Sequence, residues 1–105
     1  VLFRSRNWLA PGVELSRLPS EYFAEHIYTT FQDDWVAFKT ADLMNWRRLM
    51  WANDFPHSDS TWPWSQDMLK EHGADLTPEQ QKAILSDNVA ELYQIDTAAL
   101  TATIN

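Results

Sequence analysis

In Met50-Trp51-Ala52-Asn53-Asp54-Phe55-Pro56-His57-Ser58-Asp59-Ser60-Thr61-Trp62-Pro63-Trp64, an apolar run passes directly into a carboxylate, Asp54. A proline, a histidine and a second carboxylate follow within five residues. Extended backward, the run becomes a strand over residues 47–53. Its nearly continuous apolar centre is what a strand covered on both faces of a parallel sheet requires. Functional groups of parallel α/β proteins come from the C-terminal ends of strands and the loops after them. An ionisable cluster at a strand end is therefore a candidate site rim. Its carboxylates and histidine point to metal-assisted enzyme chemistry.

Working outward, His26-Ile27-Tyr28-Thr29-Thr30-Phe31 is short, β-branched and aromatic, and predicts an earlier strand. Residues 7–18 read as a loop with a Pro11-Gly12 turn. Pro19 opens a short helical turn through Glu21, Tyr22 and Phe23, with Ser16 or Leu18 near its start. Asp34 suits the N-cap of a helix over residues 35–45, with Val36, Leu43 and Met44 on one side. Residues 54–62 form a loop, Pro63 opens a helix over 63–72, and Gly73 stops it. Thr77-Pro78-Glu79-Gln80 is a capping box with proline at the first helical position. The apolar stripe of that last helix is Leu85, Val89 and Leu92; it ends near Gln94, and residues 97–105 read as a frayed tail. The order strand, helix, strand, helix, helix implies parallel strands joined by a helical crossover. Two parallel strands make no stable sheet alone, so the second strand is expected to need neighbours beyond this chain.

The chain of 105 residues holds at most one domain, burying about 65% of its unfolded surface if it folds alone. It contains no cysteine, which excludes disulfide and thiol chemistry and fits a reducing, cytoplasmic location. No apolar run approaches the ~20 residues of a membrane span, and no signal peptide is visible. Residues 1–53 carry six basic and six acidic side chains, whereas residues 54–105 carry two against nine and so the whole net charge of −7. That acidic half argues against nucleic acid or an anionic membrane as partner. Residues 1–6, Val-Leu-Phe-Arg-Ser-Arg, fit no cap or amphipathic pattern and read as a non-native or truncated segment.

Residues 51–63 resemble the final-strand motif of the amidohydrolase-2 family, metal-dependent (β/α)8-barrel hydrolases and decarboxylases of the amidohydrolase superfamily. That motif typically reads Trp-Gly-Ser-Asp-Tyr-Pro-His, an acidic residue, then Trp-Pro. The stretch from Leu18 to Asp34 is similar to the segment around the family's seventh strand, and Asp87-Asn88-Val89-Ala90-Glu91-Leu92-Tyr93 to its closing helix. The likeness covers residues 7–96. It implies an α/β fold that is the helix-rich C-terminal part of a TIM barrel, its last two strands with their helices, followed by a tail at 97–105. It implies a small-molecule substrate that is hydrolysed or decarboxylated, a divalent metal such as zinc, the missing N-terminal part of the barrel as partner, and room for a homo-oligomer. The resemblance further implies that Asp54 is the family's aspartate at the end of the eighth strand, which ligates or approaches the metal and handles the proton of its bound water. Ala52-Asn53 replaces the usual glycine-serine, and Phe55 the usual tyrosine. The family's other ligands, a His-x-His pair and two later histidines, have no counterpart here, because His26, His57 and His72 form no ligand pair. A lone aspartate does not hold a catalytic metal, so the chain by itself is expected to be inactive.

Each candidate also has a plain structural reading. Asp54 could simply cap the turn after the strand. His57 either orients substrate or bridges loop carbonyls. Asp59 reads as a turn residue, and Trp62 and Trp64 as core more than as pocket walls. Asp34 is explained by its capping role, with Asp33 beside it. Asn88 is expected to tie a loop backbone to the last helix, and His26 and His72 to be structural or surface residues. The competing reading of the whole chain is a non-catalytic, mostly helical interaction module.

Overall fold

The computed structural model describes residues 15–104. The expected terminal segment 1–6 and the Pro11-Gly12 turn lie outside them. The fold is helix-rich with one small parallel sheet. Helix α1 spans Pro19–His26, with proline in its first turn and the Leu18 N–H donating to the Glu21 carboxylate at 2.6 Å. This cap carries the helix through His26, so strand β1 is only Thr29–Phe31 and the strand predicted from residue 26 is shortened. Asp34 accepts from the Val36 N–H at 3.1 Å and caps α2, Trp35–Lys39. The helix expected to reach residue 45 stops there and gives way to turns. Val36 and Leu43, expected inward, are therefore exposed, Leu43 at 86%.

Asn45 adopts a left-handed conformation (φ 55°), which lets Trp46–Arg48 wind into a 3-10 turn before β2, Leu49–Trp51. This turn consumes the first part of the longer strand predicted over 47–53. The two strands pair in parallel, Thr29 with Leu49, Thr30 with Met50 and Phe31 with Trp51, and the Ala52 N–H extends the ladder to the Phe31 carbonyl at 3.0 Å. Among the described residues β2 has β1 as its one strand neighbour.

Helix α3, Ser65–His72, starts two residues later than predicted and ends at Gly73. A Cβ on Gly73 would stand 2.8 Å from the Leu69 carbonyl oxygen, so the stop demands glycine. The Thr77–Gln80 capping box is present and opens α4, Pro78–Lys82. Gln80 is buried, and its side chain donates to Asp42 at 2.5 Å while accepting from the Thr77 N–H.

The last predicted helix is not uniform. A π-helical turn, Ala83–Asp87, precedes α5, Asn88–Tyr93, and the Asn88 N–H reaches five residues back to the Ala83 carbonyl. Each π-helical turn shifts the faces of a helix by a residue. The buried face here is Gln80, Ala83, Ile84 and Asn88; of the predicted stripe, Leu85 and Leu92 are exposed and Val89 is half-buried. Asp96, accepting from the Ala99 N–H at 3.0 Å, supports α6, Thr97–Ile104, where a frayed tail was expected.

The core lies between the sheet and this last helical run. Ala41, Leu49 and Ile84 form its centre, flanked by Phe31, Met44, Trp46, Trp51 and Leu76. Asn88 donates to the Trp46 and Leu49 carbonyls, the helix-to-loop tie expected of it. Among the described residues no helix is long and apolar enough to cross a membrane.

Candidate functional site

The loop after β2 is closed by its own backbone. The Asn53 carbonyl accepts from the Thr61 N–H at 3.1 Å and from the Ser60 hydroxyl at 2.7 Å. Asn53 Oδ1 accepts from the Phe55 N–H at 3.2 Å, an Asx-type turn. Asp54 sits at φ 58°, a left-handed conformation that aspartate tolerates better than most side chains. Its carbonyl accepts from the His57 N–H at 2.9 Å, and the resulting turn brings Asp54 Oδ2 within 2.9 Å of His57 Nδ1. The three-residue spacing of these side chains is what a turn converts into contact. Both remain open to solvent, at 44% for Asp54 and 75% for His57. A carboxylate that accepts from Nδ1–H leaves Nε2 as the acceptor of a neutral imidazole. The pair can therefore accept, hold or pass on a proton at the end of β2.

Two aromatic rings of the same loop pack on each other. Phe55 and Trp62 meet edge to face with centroids 5.7 Å apart. Trp62 and Trp64, expected as core, are 61% and 71% exposed, because they precede α3 on the loop rather than pointing under it. The loop is anchored from two sides. Thr61 Oγ1 and Ser65 Oγ lie 2.9 Å apart at the start of α3. The Trp51 indole N–H donates to the Gln32 carbonyl at 3.0 Å, and the Gln32 side chain donates to the Asp59 carbonyl. Trp51 and Gln32 thus tie the loop to the two strands, a connection that sequence reasoning missed. The signal for them was their matched places at the C-terminal ends of the two strands.

A separate polar cleft of about 680 Å³ lies at those strand ends. Asp33, Asp34 and Asp59 line it together with Ser58 and Ser60, whereas Asp54 and His57 are not among its lining residues. Asp33 also faces His72 Nδ1 at 3.5 Å. His72, whose ring packs edge-on to Phe38, is thus a structural residue, and His26 is exposed.

The ionisations most clearly biased by their surroundings, among the described residues, lie away from the loop, on and beside α1. The hydrogen bond from Arg17 holds the Glu25 carboxyl below its usual range and raises Arg17 in turn. Tyr22 is lowered, first by its 2.7 Å hydrogen bond with Ser16 and then by Arg17.

Among the described residues no three His, Asp or Glu side chains stand close enough to hold a metal. A catalytic metal takes about three protein ligands, so Asp54 with His57 does not by itself fit a divalent ion.

Residues 7–95 match the family model described as Amidohydrolase. No curated protein matches the chain.

Proposed function

The chain belongs to the amidohydrolase family, and from that premise we propose that it forms the closing part of a (β/α)8-barrel enzyme that hydrolyses or decarboxylates a small organic molecule. The family is generally metal-dependent, and zinc is the metal we expect for the intact enzyme. When bound, a divalent ion supplies a Lewis acid that polarises substrate or water. Because the described residues do not make that site by themselves, no step is assigned through it, and the remaining ligands are proposed to come from the rest of the barrel.

In this reading Asp54 is the proton-handling residue. It would take the proton released as water attacks in a hydrolysis, or return one to carbon in a decarboxylation. His57 would hold the Asp54 carboxylate in place through Nδ1. The observation that carries the reading is the 2.9 Å Asp54–His57 contact directly after a parallel strand. That β2 pairs with one strand among the described residues, in parallel, supports the barrel placement, since in a closed barrel every strand has a neighbour on each side.

The test is Asp54→Asn in the polypeptide that contains this chain, assayed against lactones, amides and aromatic carboxylic acids. Turnover is expected to fall about 100- to 10,000-fold with the fold intact. Unchanged turnover on a substrate the parent enzyme accepts would remove Asp54 from the chemistry. The coding sequence before Val1 is a second check: an open frame with a His-x-His pair at a strand end is expected. The exposed Trp35, Leu43 and Trp64 favour the alternative of a helical interaction module. Cooperative, monomeric folding of the 105 residues, with no activity in any longer context, would select it.

A further inference from the structure

Between α3 and the π-helical turn lies a second cavity, of about 480 Å³, on the helix side of the sheet. Its apolar walls come from four elements: Phe38 of α2, Trp51 of β2, Leu69 of α3, and Ile84 with Leu85 of the π-helical turn. The cavity is partly open to solvent, and its volume falls within the ~300–1,000 Å³ of small-molecule pockets, which are lined mainly by apolar side chains.

The polar groups at its edge define the guest further. The Gln81 amide is already committed to the Gly73 and Leu76 carbonyls, at 3.2 and 3.3 Å, and so serves as wall. Lys70 is different. Its ammonium stands 3.9 Å from Asp67, with both side chains 78% exposed. Such a loose surface pair contributes little and yields readily to a better-placed anion. Lys70 also lines the cavity.

We propose that this cavity binds a small monoanion with an apolar body, of the medium-chain carboxylate class. The carboxylate meets Lys70 Nζ, and the chain lies against the accessible Leu69, Leu76 and Leu85. The occupant touches the Asp54 loop indirectly. The Trp51 indole that forms one wall also donates to Gln32, whose side chain donates to the Asp59 carbonyl. A ligand resting on Trp51 therefore presses on the residue that ties β2 to that loop. This inference stands apart from the amidohydrolase reading and needs neither a metal nor catalysis.

Octanoate titrated into the full chain and followed by amide NMR tests it. Saturable shifts are expected around Leu69, Gln81 and Leu85, reaching the amides of Gln32 and Asp59. Lys70→Gln should weaken octanoate at least five-fold and leave octanol binding unchanged. Leu85→Trp, which fills the mouth from an exposed position, should abolish both. If that variant loses its fold by circular dichroism, the exposed Lys70→Gln substitution decides alone. The proposal is overturned if octanoate does not saturate, if neither variant changes its affinity, or if octanol binds as tightly as octanoate. It is equally overturned if octanoate fails to bind while Leu85→Trp dissociates a dimer, because a second copy would then be the occupant.

Discussion

The side-chain nitrogen of Asn88 lies 2.7 Å from the carbonyl oxygen of Leu49 and 2.8 Å from that of Trp46. One helical amide thus satisfies two acceptors at the point where the 3-10 turn becomes β2. Asn88→Leu leaves the buried Leu49 carbonyl without that partner, whereas the Trp46 carbonyl keeps the Leu49 N–H. We expect a loss of about 1–3 kcal/mol in urea unfolding, the cost of one unsatisfied buried group. Asn88→Asp should fare no better, since a carboxylate has no proton to donate.

The π-helical turn makes a prediction that an uninterrupted helix would reverse. Ile84 is fully buried, whereas its neighbour Leu85 is 41% exposed. Ile84→Ala should cost about 2–5 kcal/mol as a core truncation, and Leu85→Ala less than about 1 kcal/mol as a surface change. Equal losses from the two would show that the predicted stripe, with Leu85, faces the core.

Asp54 combines a site role with a demanding backbone. At φ 58° a β-branched residue is strained, by about 1–2 kcal/mol. Asp54→Val should therefore lower the melting temperature, while Asp54→Asn, which tolerates the same conformation, should leave it nearly unchanged. Activity and stability then separate: the asparagine variant loses the first alone.

Glu25 supplies a pH test. Its carboxyl is depressed by the hydrogen bond and charge of Arg17. A depressed folded value contributes stability above the unfolded carboxyl's range, and that contribution is lost as pH falls through the folded value. An NMR titration of Glu25 should show a midpoint below the ordinary 4.5, and Arg17→Gln should bring it back up.

What could be read from the sequence was whatever a few neighbouring residues decide among themselves. The Thr77–Gln80 box, the Asp34 cap and the Gly73 stop are all made by hydrogen bonds or close approaches within a turn, and all are present. The cores of both predicted strands, 29–31 and 49–51, are strands. The errors arise where a distant or irregular feature intervenes. The extra residue of the π-helical turn leaves Leu85 and Leu92 exposed and Val89 only half-buried, and periodicity alone carries no sign of it. The left-handed Asn45 trims β2, and the tie from Asn88 that stabilises this arrangement comes from 39 and 42 residues away. At the site, the Asp54–His57 contact is local and follows from spacing. The Trp51–Gln32–Asp59 chain depends on two strands lying in register, which no local pattern specifies.

The pairing of β1 with β2 keeps a constant offset, Thr29 to Leu49 being 20 positions, 49 minus 29. None of the ladder can form until that whole crossover has closed, and closure costs chain entropy before any strand contact repays it. The capped run from Thr77 onward faces no such delay. The register therefore sets an expected order of assembly, which pulsed hydrogen exchange during refolding would check: amides of the run from Thr77 protected first, and those of the sheet that presents Asp54 later.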